Sequence, residues 1–416
     1  MRRSSSLLCM AVLVSVLMLA SALAPTAAAP AAAAGPAEQH GSPKSGYICA
    51  WPAIGGAQFV NADLPETNAT YWMFDYFMAP GQKLVIHGIY PFARFFEFTT
   101  YYNGTPIKPG GNLVDALVQP EAGSKNPFQT AKASDDPSKR HYRVVVEANP
   151  DPSSTNVLSA GTSGGDGTLI YRVYVPDNPQ HLKADVPLPR ITDVDASGVK
   201  TRLSPCKRAQ TSAAPAGNAA TAPVIPRAAA CPTPMQFCLP DTTGGLYPNP
   251  ANQYVHAESS FVPGQVVVVT GKAPTFPDTV AGQSPTVASD MRYWSICQNL
   301  GAPVYPVIAC KADYQIPLTG DRSYTIVISA EEDRPSNADK AHGVAWMPWG
   351  DTTQGGVILV RNMLAADAFC CSIQNVDPLD TPPYAVMGPY YPLAKYCTMA
   401  GFESDGAACA AQPPPP

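Results

Sequence analysis

The stretch APGQKLVIHGIYP, Ala79–Pro91, recurs about 180 residues later as VPGQVVVVTGKAP, Val262–Pro274. Both copies run Pro-Gly-Gln, an apolar β-prone core, Gly, two residues and Pro, at identical spacing. Pro-Gly makes a tight turn into a strand, Pro fixing φ and Gly admitting φ > 0. Leu84-Val85-Ile86 and Val266–Val269 are continuously apolar, the pattern of strands covered on both faces. Gly88 and Gly271 then mark a bulge or a close backbone approach.

Three more segments repeat in the same order. ARFFEFTTYYNG (Ala93–Gly104) matches MRYWSICQNLG (Met291–Gly301), and HYRVVVEANPDP (His141–Pro152) matches SYTIVISAEEDRP (Ser323–Pro335). GTLIYRVYVPD (Gly167–Asp177) matches GVILVRNMLAAD (Gly356–Asp367). A repeat of this length is domain-sized, not a solenoid turn. With 46 Pro and 31 Gly punctuating short β-prone runs, the expected fold is all-β: two tandem, duplicated, jelly-roll-like β-sandwich domains. Helix signals are few and short, Met363–Phe369 being the best. Arg94, Phe96 and Phe98 fall on one side of their strand and Phe95 and Glu97 on the other, the alternation of a half-buried strand.

Residues 1–28 have the form of a signal peptide: two arginines, an apolar run from Leu7 to Ala24, then small residues. An uncleaved anchor is the alternative, because the run is close to spanning length. A disordered lead (29–45), a first sandwich (46–200), an Ala/Pro-rich linker (201–234), a second sandwich (235–400) and a C-terminal tail (401–416) complete the expected order. No second apolar stretch has spanning length, so the mature chain is expected to carry no transmembrane segment, to be secreted or held in the cell envelope, and to be a monomer.

Without Cys9 ten cysteines remain, an even number that in an exported chain reads as disulfides, not zinc ligands. Cys297 ends one strand and Cys310 begins the next, so these two are expected to pair. Cys397 with Cys409 is a second expected bridge. Adjacent Cys370 and Cys371 are expected to go to separate partners, because a bridge between neighbours is strained.

Charged residues are 14% of the chain and the net charge is −5, with no Lys/Arg stripe, which excludes a nucleic-acid binder. No phosphate-loop, dinucleotide or kinase motif occurs, and no cofactor is implied. GTSGG (Gly161–Gly165) satisfies G-x-S-x-G, but Ser163 precedes a strand instead of a helix, so a flexible loop is the better reading. Six histidines lack a compact ligand spacing, so no metal site is assigned. His87, within an apolar strand, reads as a satisfied buried imidazole. The acidic run Glu331-Glu332-Asp333 reads as a solvated turn. The sequons at Asn68 and Asn103 matter only in a host that glycosylates.

Arg94 and Arg172 in the first unit align with Arg292 and Arg361 in the second. Buried guanidinium groups need carboxylates, and the recurring Asp115 and Asp313 offer them. The sharper alternative is that the arginines line a cleft for an anionic ligand. Trp294, Trp346 and Trp349 offer flat faces for sugar rings, against the default of core packing.

YRVYVPD after a Gly-led strand, and WMPWG followed by GGVILVRNML, resemble a motif pair of bacterial exported proteins of unknown function. There a Trp-x-Pro stretch precedes an Arg-containing strand of a jelly-roll-like domain. The resemblance covers the last third of each unit, and the first unit lacks Trp-x-Pro. It implies a β-sandwich in an envelope or secreted protein and brings no reaction with it.

The expected function is a non-catalytic module binding a small molecule or glycan at Arg94, Arg172, Arg292, Arg361, Trp294, Trp346 and Trp349. The rivals are a polymer hydrolase working through Glu97, Asp115 or Asp313, and a purely structural protein.

Overall fold

The computed structural model describes residues 49–102, 107–131, 135–207, 231, 233, 235–240, 247–378 and 381–412, within one compact unit, Tyr47–Pro416. The signal segment, the disordered lead, linker residues 208–230, the Asn103 sequon and the terminal prolines lie outside the described residues.

The first half contributes β1 (Ala53–Gly55), β2 (Ala69–Met78), β3 (Lys83–Ile89), β4 (Ala93–Tyr102), β5 (Lys108–Val114), β6 (His141–Glu147), β7 (Val157–Ser159), β8 (Gly165–Pro176), β9 (Arg190–Val194) and β10 (Lys200–Leu203). They form two sheets, ordered β1-β2-β8-β4-β5 and β10-β9-β3-β6-β7. The second half contributes β11 (Asn252–Ser259), β12 (Gln265–Lys272), β13 (Met291–Leu300), β14 (Val307–Ala312), β15 (Ser323–Ser329), β16 (Val344–Pro348), β17 (Gly356–Ala365) and β18 (Leu393–Thr398). Its sheets run β11-β17-β13-β14 and β16-β15-β12-β18. Setting aside β1 and β10, strands β2 to β9 have the same neighbours, in the same order, as β11 to β18. Even the parallel edge pairs correspond, β7 beside β6 and β16 beside β15. The repeated strand of the opening pair is β3 in one half and β12 in the other.

In each half the facing sheets enclose an apolar core. Phe74, Phe96, Phe98 and Tyr171 meet Leu84, Ile86, Tyr142 and Val144 in the first. Trp294, Ile296 and Val360 meet Val267, Val269 and Ile326 in the second. The β12 valines are covered on both faces, as expected, because the helix Met399–Asp405 sets Phe402 against Val266 and Val268. Gly88 lies under the Tyr142 ring, and a Cβ on Gly271 would stand 2.6 Å from the Tyr324 hydroxyl. Close approach, not a bulge, is therefore the reason for glycine. Gly271→Ala should destabilise the protein by about 1–3 kcal/mol through overpacking, read as a lower urea midpoint at unchanged m-value.

The outer faces of the two equivalent sheets pack on one another. Phe95, Tyr174 and Val175 of the first half meet Tyr293, Ala312 and Met363 of the second. This corrects the half-buried reading of the Arg-aromatic strands: β4 is buried from Ala93 through Tyr101, because the other half covers its second face. The helix expected over Met363–Phe369 is also corrected. Met363 pairs with Asn252 on one side and Tyr293 on the other, and these ladder bonds override local helix propensity. His87 is half-exposed, 3.7 Å from Glu121, and so is not a buried imidazole.

Five disulfides staple the chain. Cys297–Cys310 and Cys397–Cys409 are paired as expected, the former across directly opposed positions of β13 and β14. Cys49–Cys206 ties the two ends of the first half, and Cys231–Cys238 closes a short loop. Cys370 and Cys371 are bonded to each other, contrary to expectation; the other eight described cysteines already satisfy one another. Among the described residues no helix is long and apolar enough to cross a membrane.

Candidate functional site

The four recurring arginines all converge on the seam between the halves, and there they are consumed by protein carboxylates. Arg94 Nη1 donates to both oxygens of Asp313, at 3.0 and 2.9 Å. Arg292 Nη1 donates to Asp115 Oδ2 at 2.8 Å. Each pair crosses the seam, the arginine of one half binding the aspartate of the other. This reciprocity is the mark of an isologous contact between like bodies. Both aspartates are positioned alike: Tyr314 N–H donates to Asp313 and Ala116 N–H to Asp115, each from the next residue in the chain. Burial pushes both carboxyls up to about 6, while the partner arginine pulls the other way.

The second arginine pair reveals a substitution between the copies. Arg172 Nη1 donates to Glu97 Oε1 at 3.0 Å, and these residues are directly opposed on β8 and β4. The position opposite Arg361 is Ser295, which has no charge to offer. Glu66, from the loop before β2 of the first half, fills the gap. Its Oε2 accepts from Arg361 Nη1 and from Ser295 Oγ, and its Oε1 from Asn68 Nδ2. Backbone support is again reciprocal, since Arg361 Nη2 donates to Leu64 O and Arg172 Nη2 to Tyr247 O. Leu64 precedes β2 and Tyr247 precedes its equivalent β11, each by five residues, and both have positive φ.

The expected ligand-binding set is therefore placed as follows. Arg94, Arg172, Arg292 and Arg361 sit in ion pairs at the seam. Trp294 and Trp349 are core residues, each 2% exposed. Trp346 lies on strand β16, with its Nε1 donating to Ser329 Oγ and Arg334 stacked on its ring. Of the seven, Trp294 also lines a small recess beside Tyr324 and Tyr390. The carboxylates named for hydrolysis, Glu97, Asp115 and Asp313, are fully buried and each is bonded to a guanidinium. Glycosidic hydrolysis needs two carboxyls open to substrate, and these three are closed. Ser163 is exposed in a turn leading directly into β8, as the loop reading anticipates.

Beside the seam lies a shallow recess with an enclosed volume of about 50 Å³. Its walls are Phe59, Pro179 and Leu182 of the first half and Tyr314 of the second, with Gln58 and Thr67 supplying polar groups. That volume is below the ~300–1,000 Å³ of enclosed small-ligand sites, so a ligand would rest against the opening instead of being engulfed by it. Tyr314 is set there by the ion pair, because its own N–H binds Asp313. Sequence reasoning missed Glu66, Phe59 and Tyr314. One signal was available: aligning Glu97 with Ser295 shows that Arg361 has lost its own counter-ion and must borrow one.

No family model matches the chain, and no curated protein is similar to it. Its fold is similar to that of an uncharacterized protein from Burkholderia cenocepacia, in a crystal structure matched at TM-score 0.50 and 14% identity over 84% of this chain and 82% of that one. The VPA0106 protein from Vibrio parahaemolyticus matches at TM-score 0.41 and 12% identity, over 78% of this chain and 90% of that one.

Proposed function

We propose that the chain is an exported, non-catalytic binding module and that its ligand is a glycan held in the recess between Phe59 and Tyr314. The observation that carries this reading is the recess itself, an aromatic-walled opening with amide and hydroxyl groups beside it. Aromatic faces suit the apolar faces of sugar rings, and polar neighbours suit their hydroxyls. Export is supported by the form of residues 1–28 and by the disulfides, which persist in oxidising compartments. The partial resemblance to bacterial exported proteins points the same way. Closure of Glu97, Asp115 and Asp313 by arginines favours binding over hydrolysis.

A glycan array probed with the mature protein should give a defined set of hits. Tyr314→Ala should then weaken the best of them about two- to tenfold, the scale of one aromatic contact of about 0.5–1.5 kcal/mol, while thermal stability stays within a few degrees. Absence of any hit, or equal binding by the variant, overturns the proposal and leaves the structural role. Release of reducing sugar from a bound polymer would favour the hydrolase instead.

A further inference from the structure

Cys231, Cys238 and His256 meet where the segment leading into the second sandwich crosses β11. Cys238 and His256 exchange backbone hydrogen bonds of 2.9 Å in both directions, which fixes their side chains on neighbouring paths. The His256 imidazole is 4% exposed. Its Nε2 faces the two sulfurs at 3.9 and 4.0 Å, and its Nδ1 has no hydrogen-bond partner. Buried polar groups are almost always paired, so an imidazole directed at two sulfurs calls for an explanation.

Tetrahedral zinc chemistry supplies one. With Zn–S near 2.3 Å and Zn–N near 2.05 Å, two thiolates and an imidazole stand with S···N about 3.6 Å and S···S about 3.8 Å. The S···N separations in the protein exceed this by only a few tenths of an ångström. The sulfurs themselves are bonded to each other. Breaking that bond is the one large change required. We propose that, once the Cys231–Cys238 disulfide is reduced, Cys231, Cys238 and His256 form a three-ligand site for a thiophilic divalent cation, Zn²⁺, with the fourth position open.

The reductant is a dithiol. Its thiolate attacks one sulfur, the S–S bond breaks, and two electrons pass to the protein, leaving two Cys thiols and the reductant's own disulfide. Zn²⁺ then displaces the two thiol protons into water. Access sets this bridge and the equally exposed Cys49–Cys206 apart from the bridges of Cys297 and Cys397, which are fully buried, and of these two exposed bridges it is Cys231–Cys238 that has an imidazole beside it. The cluster of Glu66, Cys297 and Cys310 is a weaker candidate, because Arg361 and Ser295 already hold that carboxylate.

The test uses the full mature chain carrying Cys370→Ser and Cys371→Ser, so that the exposed vicinal pair takes no part. After limited anaerobic reduction with dithiothreitol and removal of the reductant, alkylation mapping identifies conditions in which only Cys231 and Cys238 are open. Zn²⁺ is then titrated against a chromophoric chelator. One equivalent should bind to the reduced chain and none to the oxidised chain. His256→Gln should weaken binding at least tenfold, and His256→Cys should restore it. Failure of the reduced chain to take up Zn²⁺ overturns the proposal, as does undiminished affinity in His256→Gln or a full equivalent bound by Cys231→Ser/Cys238→Ser.

Discussion

Replacing Arg94 with methionine should lower stability by about 3–5 kcal/mol at pH 8, the scale of leaving one buried charge without its partner. Arg94 is fully buried, and the group abandoned is Asp313 on the other half. The loss should depend on pH, and its sign follows from the carboxyl. Burial raises Asp313 from its ordinary 3.8 to about 6 even with Arg94 in place. A carboxyl raised on folding contributes stability that is present below its unfolded value and lost as pH rises through its folded value. In the parent protein Asp313 and Asp115 therefore make stability decline between about pH 4 and about 6. Removing Arg94 removes the opposing pull and extends that decline to higher pH. The penalty measured by urea denaturation should thus be largest at pH 8 and shrink toward pH 5. Arg94→Met combined with Asp313→Leu should recover most of it, because an apolar pair leaves no charge to desolvate. A penalty independent of pH would show that the ion pair is not what the substitution removes.

Opening the Cys49–Cys206 bridge, as Cys49→Ser/Cys206→Ser, should cost about 5 kcal/mol by loop-closure entropy, since a closed loop of this size gives the unfolded chain far more freedom once cut. The separation of 157 residues is the largest of the five bridges. It spans the whole first sandwich, and the ends also exchange backbone bonds, Ala50 N to Ser204 O and Cys206 N to Ala50 O. Differential scanning calorimetry should show one transition, displaced downward as a unit. The second half depends on Glu66 and Leu64 of the first to satisfy Arg361, so it cannot stay intact when the first half melts. Two separated transitions would contradict the seam as described.

The duplication was legible because turn chemistry and strand pattern survive at fixed spacing: Pro-Gly before β3 and β12, Gly88 and Gly271 under tyrosine rings, arginine five residues after glycine in β8 and β17. The need of each arginine for a carboxylate was legible too, on electrostatic grounds alone. What could not be read was which copy supplies it. Asp115 and Asp313 are equivalent positions, so their pairing within one half and across two halves leaves the same trace in the sequence. The alternation in β4 misled for a related reason. Glu97, Thr99 and Tyr101 look like a solvent face, but they are polar because they bind Arg172. Arg140 and Arg322 escaped notice although they are matched in detail, each capping the carbonyl of the proline that closes the repeated segment, Pro91 or Pro274. Neither has a motif beyond its place just before a strand. The helix signal at Met363–Phe369 failed because ladder partners far away in sequence decide the conformation of β17.

Two identical chains associating about a two-fold axis must carry the same residue at both copies of every position. Covalent continuity lifts that restriction. Ser295 in place of a second Glu97, with Glu66 reaching over to neutralise Arg361, is an arrangement no symmetric homodimer can adopt without also placing its mirror at Arg172. A polypeptide joined to its own likeness is thus free to specialise one side of the contact while the other keeps holding it shut.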